Sequence, residues 1–206
     1  MFQCNVDRQL VDYDKWFQAS FGKDLKNILS EHNITPIRIL RDDEDPNHCI
    51  VILEASTQEA FEKGRLDPRI QAINTDTSLV KSSSHTIYTS TNLKEVPVGS
   101  GEYRYGFHVD HKLVNYDRWF ALFSEGSLRG ELEKEHGLTA LRVLRSVINP
   151  NEAIVVFTGD SQEAMDALHN DPRFQDRFND KKIIAETPIP SGRFVPEFFK
   201  LKKIGL

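Results

Sequence analysis

The sequence contains few cysteines, no surplus of basic residues and no long apolar run. Its 206 residues include two cysteines, Cys4 and Cys49, which are too few for a disulfide framework. The formal net charge is −5, so the chain lacks the surplus of basic residues that binds the phosphate backbone of a nucleic acid. No apolar run approaches the ~20 residues that span a membrane, and residues 1–10 lack the apolar stretch of a signal peptide. We therefore expect a cytoplasmic protein that binds neither nucleic acid nor a membrane.

Motifs for phosphate binding, nucleophilic catalysis and metal binding are also missing from the sequence. There is no glycine-rich phosphate loop and no nucleophile elbow, and the histidines show no paired metal-ligand spacing. The acidic run Asp42–Asp45 lacks the spacing of a calcium loop, which favours a solvated turn. We therefore expect no metal and no cofactor.

An internal repeat is the strongest feature that the sequence does have. The segment Val6–Phe17 returns 103 residues later as Val109–Phe120, and both copies include a tryptophan. From His32 and His136 onward the offset is 104, so the second copy has gained one residue in its first helix. Runs that return in register at one offset are typical of a duplicated structural unit. We therefore predict two copies of one module.

The stretch between the two copies has the composition of a linker. Residues 94–102 include one proline, two glycines and a serine, which favour irregular backbone. We therefore predict a first module at 1–93, a linker at 94–101 and a second module at 102–206.

Each copy is predicted to have the order β-α-β-β-α-β. In the first copy, Phe2–Asp7 alternates apolar and polar residues as a strand does. Apolar residues then keep helical spacing from Tyr13 to Leu29, behind Asp12 as a helix N-cap. Two strands rich in β-branched residues follow, Ile34–Arg41 and Cys49–Ala55.

The second helix and the last strand complete each copy. The second helix is predicted to begin with a capping box, Ser56 to Glu59 in the first copy and Asp160 to Glu163 in the second. The last strand is predicted at 85–91 in the first copy and at 194–203 in the second.

This order predicts an α+β fold of two tandem ferredoxin-like βαββαβ repeats. Such a unit packs its helices on one face of the sheet and leaves the other face bare. The strands Cys49–Leu53 and Ala153–Phe157 are apolar on both faces, so both of their faces require cover. We therefore expect the second copy to cover the first, sheet to sheet, as an intramolecular pseudo-dimeric α+β barrel.

The chain resembles the dimeric α+β barrel superfamily, which includes antibiotic-biosynthesis monooxygenase-like proteins. The resemblance covers both copies and rests on Val11–Trp16 with Val114–Trp119, on the Arg-x-Leu-Arg strand, and on the acidic-Pro-Arg segment after helix two. It implies a ligand site between a sheet and nearby helices. Members include cofactor-free oxygenases, isomerases, cyclases and haem-degrading enzymes, so the fold alone does not select a reaction.

The pattern of the haem-degrading members can be compared with this sequence. Those proteins use a strand-one asparagine, a helix-two tryptophan and a following histidine. Asn5 matches the first position, but Gly64 and Leu168 occupy the helix-two region and no tryptophan is present there. We therefore do not expect haem degradation.

Strand alternation predicts a polar cluster on the side of the sheets away from the helices. Ile37 and Ile39 share one face of strand two, as do Leu141 and Val143, and we expect these residues to meet the helices. An arginine on the opposite face can bind a carboxylate, phenolate or phosphate, and a histidine there can act as a general base. We predict His108 and Arg142 as catalytic residues and Asn5, Arg38, Asp7 and Asp110 as ligand-binding residues.

A structural interpretation stays open for these residues. Each arginine can pair with the aspartate on the neighbouring strand, and His32 and His136 can cap helix ends. Trp16 and Trp119 lie on the apolar helix face and are expected in the core. The first functional hypothesis is a binder or cofactor-free enzyme for a small aromatic or anionic compound in a cavity between the sheets. The alternative is a non-catalytic assembly module that uses a sheet edge or the tail at 198–203, and association into a homodimer of pseudo-dimers is left open.

Overall fold

The computed structural model describes residues 1–21, 25–94, 105–125, 127–178 and 180–196. The chain forms two compact units, Met1–Thr89 and Ser90–Val195. The predicted linker lies outside the described residues except for Lys94, and so does the tail at 198–203. Within the described part of the chain, no helix combines the length and apolar character needed to span a membrane.

The first unit is a four-stranded antiparallel sheet with helices after its first and third strands. The strands pair in the order β4-β1-β3-β2. Its elements are β1 (Phe2–Leu10), α1 (Tyr13–Ser20), α2 (Leu25–Glu31), β2 (Thr35–Asp42), β3 (His48–Ala55), α3 (Gln58–Arg65), α4 (Pro68–Thr75) and β4 (Val80–Asn92).

The second unit has the same order of elements. Its strands pair antiparallel in the order β8-β5-β7-β6. Its elements are β5 (Tyr105–Leu113), α5 (Tyr116–Glu125), α6 (Ser127–His136), β6 (Leu138–Ser146), β7 (Glu152–Gly159), α7 (Gln162–Asn170), α8 (Pro172–Phe178) and β8 (Ile184–Pro196).

The predicted α+β fold class is confirmed, but each helical segment consists of two helices rather than one. The second segment divides because Asp67 caps a new helix, accepting a hydrogen bond from the backbone N–H of Arg69, and Pro68 occupies its first turn. Asp12 caps α1 as predicted, since its side chain accepts from the backbone N–H of Lys15.

Two local predictions are wrong. The caps of α3 and α7 are Thr57 and Ser161, one residue after the predicted Ser56 and Asp160, since their hydroxyl groups accept from the backbone three residues on. The last strand of the second unit is Ile184–Pro196, not 194–203. This strand contains three prolines, which are atypical of a strand because proline cannot donate a backbone hydrogen bond to the sheet. The register of β8 with β5 is correspondingly irregular.

The cores confirm only part of the predicted faces. Trp16 and Trp119 are both buried, as expected. Val143 packs with helix residues in the core of the second unit, but Leu141 does not belong to that cluster. The register of β6 with β7 shifts between Ala140 and Arg142, so alternation breaks there and Leu141 leaves the helix-facing row.

Candidate functional site

A pocket of about 100 Å³ lies between the sheet and the helices of the first unit. It is bounded by strands β1, β3 and β4 and by all four helices of that unit. None of the six residues predicted as site residues lines it. A space of this size holds several water molecules or a small organic molecule.

The wall of the pocket is mostly apolar and aromatic. Trp16 from α1 and Phe61 from α3 contribute the large rings, and both are buried. Trp16 also packs edge-on against Phe21, with ring centroids 5.8 Å apart. Apolar walls of this kind are typical of small-molecule sites. The remaining buried apolar lining residues are Cys4, Leu25, Leu29, Ile34, Val51, Leu53 and Ile70.

Arg8 is the charged residue buried in this wall. It stands on β1 two residues beyond Val6, on the helix-facing side of the strand, and is 7% exposed. Its guanidinium lies 5.5 Å from the centre of the Trp16 ring, within the range of a cation–π interaction. Burial lowers the pKa of Arg8 to about 10, so the group keeps its charge at neutral pH.

The hydrogen bonds of Arg8 are incomplete within the described part of the chain. Its Nη2 donates to Oδ1 of Asn74 on α4 over 2.6 Å. Its Nε and Nη1 are buried and have no hydrogen-bond partner among the described residues. No carboxylate of those residues forms an ion pair with it. Burying a charge without an ionic partner costs several kcal/mol, which makes Arg8 a candidate for binding a ligand.

The second unit fills the matching space with larger side chains. At the offsets of the repeat, Phe107 replaces Cys4 and Phe157 replaces Leu53, and both phenylalanines are 1% exposed in the core of that unit. Leu168 likewise stands at the position of Gly64. The pocket of the first unit therefore depends in part on smaller side chains at positions that the second unit has packed.

The counterpart of Arg8 is a neutral histidine. His111 is 4% exposed, packs 5.1 Å from the Trp119 ring, and its Nδ1 lies 2.9 Å from the backbone carbonyl of Val109. Burial lowers the pKa of His111 to about 4, so the imidazole is uncharged at neutral pH. The two units thus share a polar residue over a tryptophan, but only the first unit places a cation there.

Other groups with acid–base chemistry lie around the pocket. Burial raises the pKa of the Cys4 thiol to about 12, so it stays protonated and is a poor nucleophile. His85 on β4 lines the pocket and pairs with Val6 in the sheet. Arg65 also lines the pocket, where its Nε donates to Glu62 over 2.6 Å. His85 is the lining residue whose chemistry suits a general base.

The predicted residues of the first unit lie on the other face of its sheet. Asn5 and Arg38 flank Ile52 of the central strand, so these three positions share one face. Asn5 is buried and accepts a hydrogen bond from Nε2 of Gln3 over 2.7 Å. The predicted role of Asn5 and Arg38 in ligand binding stays a prediction.

Asp7 is exposed and pairs with a histidine. Nε2 of His48 lies 3.3 Å from the Asp7 carboxylate, and Nδ1 of His48 lies 2.8 Å from Asp42. Burial lowers the pKa of His48, but its hydrogen bonds to Asp42 and Asp7 outweigh this and raise the pKa. The contact of Asp7 is therefore with the first residue of β3.

The predicted catalytic residues of the second unit form a matching row. His108 and Arg142 flank Val156 of the central strand and share its face. The His108 ring is 3% exposed and lies 5.0 Å from the ring of Phe194. Asp110 follows two residues after His108 and is exposed. The structure thus places His108 and Arg142 in one row, and their catalytic role stays a prediction.

The prediction from sequence missed Arg8, although the sequence contains a signal for it. Alternation along β1 places Cys4, Val6, Arg8 and Leu10 on one face. A charged residue within such an apolar row is unusual, because arginine is rarely buried unless it is paired. Continuing the alternation of Cys4 and Val6 by two residues therefore identifies Arg8.

The haem-degrading pattern does not fit the pocket. Asn5, which matches the strand-one asparagine of that pattern, does not line it. Gly64 of α3 does line it, and a side chain there would meet Cδ1 of Ile34 at 2.6 Å. The region in which that pattern requires a tryptophan therefore holds a glycine with little space around it.

A histidine–carboxylate cluster repeats in both units and has a structural explanation. Nε2 of His136 lies 3.0 Å from Asp171, and Nη2 of Arg173 bridges Asp171 and Glu135. A metal ion at these carboxylates would compete with the guanidinium already bound to them. His136 therefore pairs with a carboxylate rather than capping carbonyl groups as expected. The equivalent cluster in the first unit is Glu31, His32, Asp67 and Arg69.

Comparison with known proteins identifies the fold. No family model matches the chain. No curated protein matches it either. Among solved structures, the chain is similar to an anthrone oxidase-like protein with a TM-score of 0.60 at 13% identity, over 95% of this chain and 91% of that one. It is similar to a proposed monooxygenase from Lactobacillus acidophilus with a TM-score of 0.56 at 11% identity, over 95% and 91%.

A third similar structure is a chlorite dismutase mutant from Candidatus Nitrospira defluvii. Its TM-score is 0.51 at 14% identity, over 97% of this chain and 94% of that one. Likeness at such low identity concerns the fold and not the chemistry. The chain has the fold of the dimeric α+β barrel proteins, as its sequence indicates.

Proposed function

We propose that this protein is an oxygenase-like protein that binds a small organic molecule in the helix–sheet pocket of its first unit. The observation that carries the proposal is the pocket itself, an apolar cavity of about 100 Å³ with a buried arginine in its wall. Such a combination of apolar surface and one oriented polar group is typical of ligand sites. The oxygenase-like part is our own extension of the shared fold, since two structures with that fold are described as a proposed monooxygenase and an anthrone oxidase-like protein.

The pocket can be tested by filling it with the residue that the second unit uses. Cys4→Phe introduces the counterpart of Phe107, and Cys49→Ala introduces the counterpart of Ala153 at a buried cysteine that does not line the pocket. We expect benzamide, a small neutral aromatic probe, to bind the wild type saturably in isothermal titration calorimetry. Cys4→Phe should weaken this binding at least tenfold, since it occupies the cavity, and Cys49→Ala should leave it unchanged.

A second substitution separates loss of the pocket from loss of folding. Leu53→Phe introduces the counterpart of Phe157 from another strand of the same wall. Circular dichroism melting should show each variant folded, because the second unit accommodates phenylalanine at both positions. Equal binding of benzamide by wild type and by folded Cys4→Phe and Leu53→Phe would contradict the proposed site.

Oxygenation can be tested on whatever the pocket retains in the cell. Native mass spectrometry of the purified protein should show an added small mass that Cys4→Phe lacks. If the protein is an oxygenase, incubation in isotopically heavy dioxygen should transfer label into the released compound. A retained compound that never acquires label would support binding and contradict oxygenation.

A further inference from the structure

The buried hydrogen-bonding groups in the wall of the pocket are donors. Nε and Nη1 of Arg8 and Nε1 of Trp16 are buried and have no partner among the described residues. The acceptor that contacts Arg8 is the neutral amide oxygen of Asn74. A ligand that brings acceptor oxygens would match the Arg8 donors once the guanidinium, which lies just beneath the pocket wall, turns toward the cavity.

Arg8 also lacks a carboxylate counter-ion among the described residues. Within the described part of the chain, no aspartate or glutamate forms an ion pair with Arg8. The second cation at the pocket, Arg65, is exposed and already paired with Glu62. An anionic group beside Arg8 would therefore be the counter-ion that the fold itself does not provide.

The rest of the pocket selects an apolar, flat body for the ligand. Trp16 and Phe61 supply aromatic surface, and the other buried lining residues are mostly aliphatic. The volume of about 100 Å³ favours a small ring system over a long chain. A small aromatic ring with one charged substituent suits both the wall and the arginine.

We infer, building on the proposed function, that the ligand of this pocket is a small aromatic carboxylate whose charged oxygen atoms accept hydrogen bonds from Arg8. The second unit cannot offer this site, because the matching residue is the neutral His111 and Phe178 stands at the position of Asn74. Anion binding would therefore be a property of the first unit.

Benzoate and benzamide test this inference because they have the same shape and differ in charge. We expect isothermal titration calorimetry to show benzoate binding the wild type about 10- to 100-fold more tightly than benzamide, as charge-assisted hydrogen bonds imply. Arg8→Met should abolish that preference, and Arg8→Lys should retain part of it. Arg41→Met is the matched control, because Arg41 also stacks on an aromatic ring, 4.1 Å from that of Tyr13, and does not line the pocket.

Asn74→Asp tests the inference with Arg8 in place. Its carboxylate would lie where Oδ1 of Asn74 accepts from Arg8 and would neutralise the guanidinium. We expect the preference for benzoate to fall about tenfold or more, as loss of a charge-assisted contact implies, with benzamide binding unchanged. This variant should fold even if Arg8→Met does not, since it supplies the missing counter-ion.

The outcomes separate the inference from the proposed function. If benzamide and benzoate bind equally and neither Arg8→Met nor Asn74→Asp changes this, the carboxylate inference is wrong and the pocket proposal stands. If neither probe binds the wild type, or if Cys4→Phe does not affect either, both are wrong. A preference for benzoate that survives Arg8→Met in a folded variant also overturns the role assigned to Arg8.

Discussion

The residues at position 8 and at its counterpart, position 111, show how a single difference gives two copies of one module different buried charges. Arg8 and His111 occupy matching positions on β1 and β5, and each lies over the tryptophan of its own unit. The histidine can shed its proton when buried, whereas the arginine stays charged. The buried imidazole is therefore compatible with a closed core, while the buried guanidinium has two donor atoms, Nε and Nη1, for which the described residues provide no acceptor.

His111 should make stability depend on pH. Its pKa is lowered from 6.5 to about 4 in the folded protein, so between these values the unfolded chain binds more protons. Its contribution to stability is complete above pH 6.5 and is lost as pH falls toward 4, by roughly 3 kcal/mol at most. His111→Phe should remove this part of the pH dependence in urea unfolding at a series of pH values.

The informative quantity is the difference in unfolding free energy between the wild type and His111→Phe at each pH, rather than either pH profile alone. Carboxylates also titrate in the acidic range, but they do so in both proteins. Parallel curves for the wild type and His111→Phe would show that His111 is not a buried neutral imidazole.

At the scale of single elements, the helix caps give a sharp comparison. The Thr57 and Ser161 hydroxyls accept from the backbone N–H groups of Ala60 and Ala164. Thr57→Ala and Ser161→Ala should each lower the free energy of unfolding by about 1 kcal/mol, because they leave a helix N–H without its acceptor. Chemical denaturation of the full chain measures this difference.

The neighbouring residues serve as matched controls for the caps. Ser56 and Asp160, which the sequence pattern favours as caps, are exposed. Ser56→Ala and Asp160→Ala should therefore change the free energy of unfolding by about 0.5 kcal/mol or less. If Ser56→Ala and Asp160→Ala instead destabilised the protein more than Thr57→Ala and Ser161→Ala, each helix would begin one residue earlier than described.

The bulges in the strands also belong to this scale. Alternation predicts faces well along β1, where the register with β3 is continuous from Phe2 to Gln9. It fails at Leu141, because the register shift beside it inserts one residue into the row. A sequence pattern of period two contains no mark of such an insertion.

At the scale of the whole molecule, each unit carries the same clamp of four side chains. Asp67 accepts from His32 and Arg69, and Asp171 accepts from His136 and Arg173. In the first unit the clamp joins α2 to the start of α4, and the second unit repeats this arrangement. Its presence in both units, one with a pocket and one with a filled core, favours a structural role.

Removing the clamp charge should destabilise each unit locally. Hydrogen bonds from Arg69 and His32 hold the pKa of Asp67 well below its usual range, and Arg173 and His136 do the same for Asp171. This contribution is present above about pH 4 and is lost as pH falls below that value. Asp67→Asn keeps an N-cap residue but removes the charge, so it should lower the melting temperature.

Hydrogen exchange can assign this effect to a unit. Asp67→Asn should speed exchange in α2 and α4, and Asp171→Asn should speed exchange in α6 and α8. Asp171→Asn, which lies in the second unit, should leave the affinity of the first unit for benzamide unchanged. Unchanged exchange and melting in both variants would mean that the clamps contribute nothing measurable.

Much of the architecture follows from the sequence, because it depends on periodic patterns that the chain repeats. The matched segments around Trp16 and Trp119, the N-cap at Asp12 and the order of strands and helices are local or duplicated signals, and the structure agrees with them. The α+β class and the buried tryptophans could therefore be predicted. The caps at Thr57 and Ser161 and the proline-containing β8 were missed, since neighbouring residues carry equally good local signals there.

The pocket was decided only by the tertiary structure. Its wall combines residues from three strands and four helices, and its volume depends on how side chains such as Cys4 and Leu53 pack together. Whether Arg8 has a partner depends on Asn74, 66 residues away along the chain. Periodicity shows which face a residue occupies, but burial, volume and hydrogen-bond partners arise from distant segments that meet only in the folded chain.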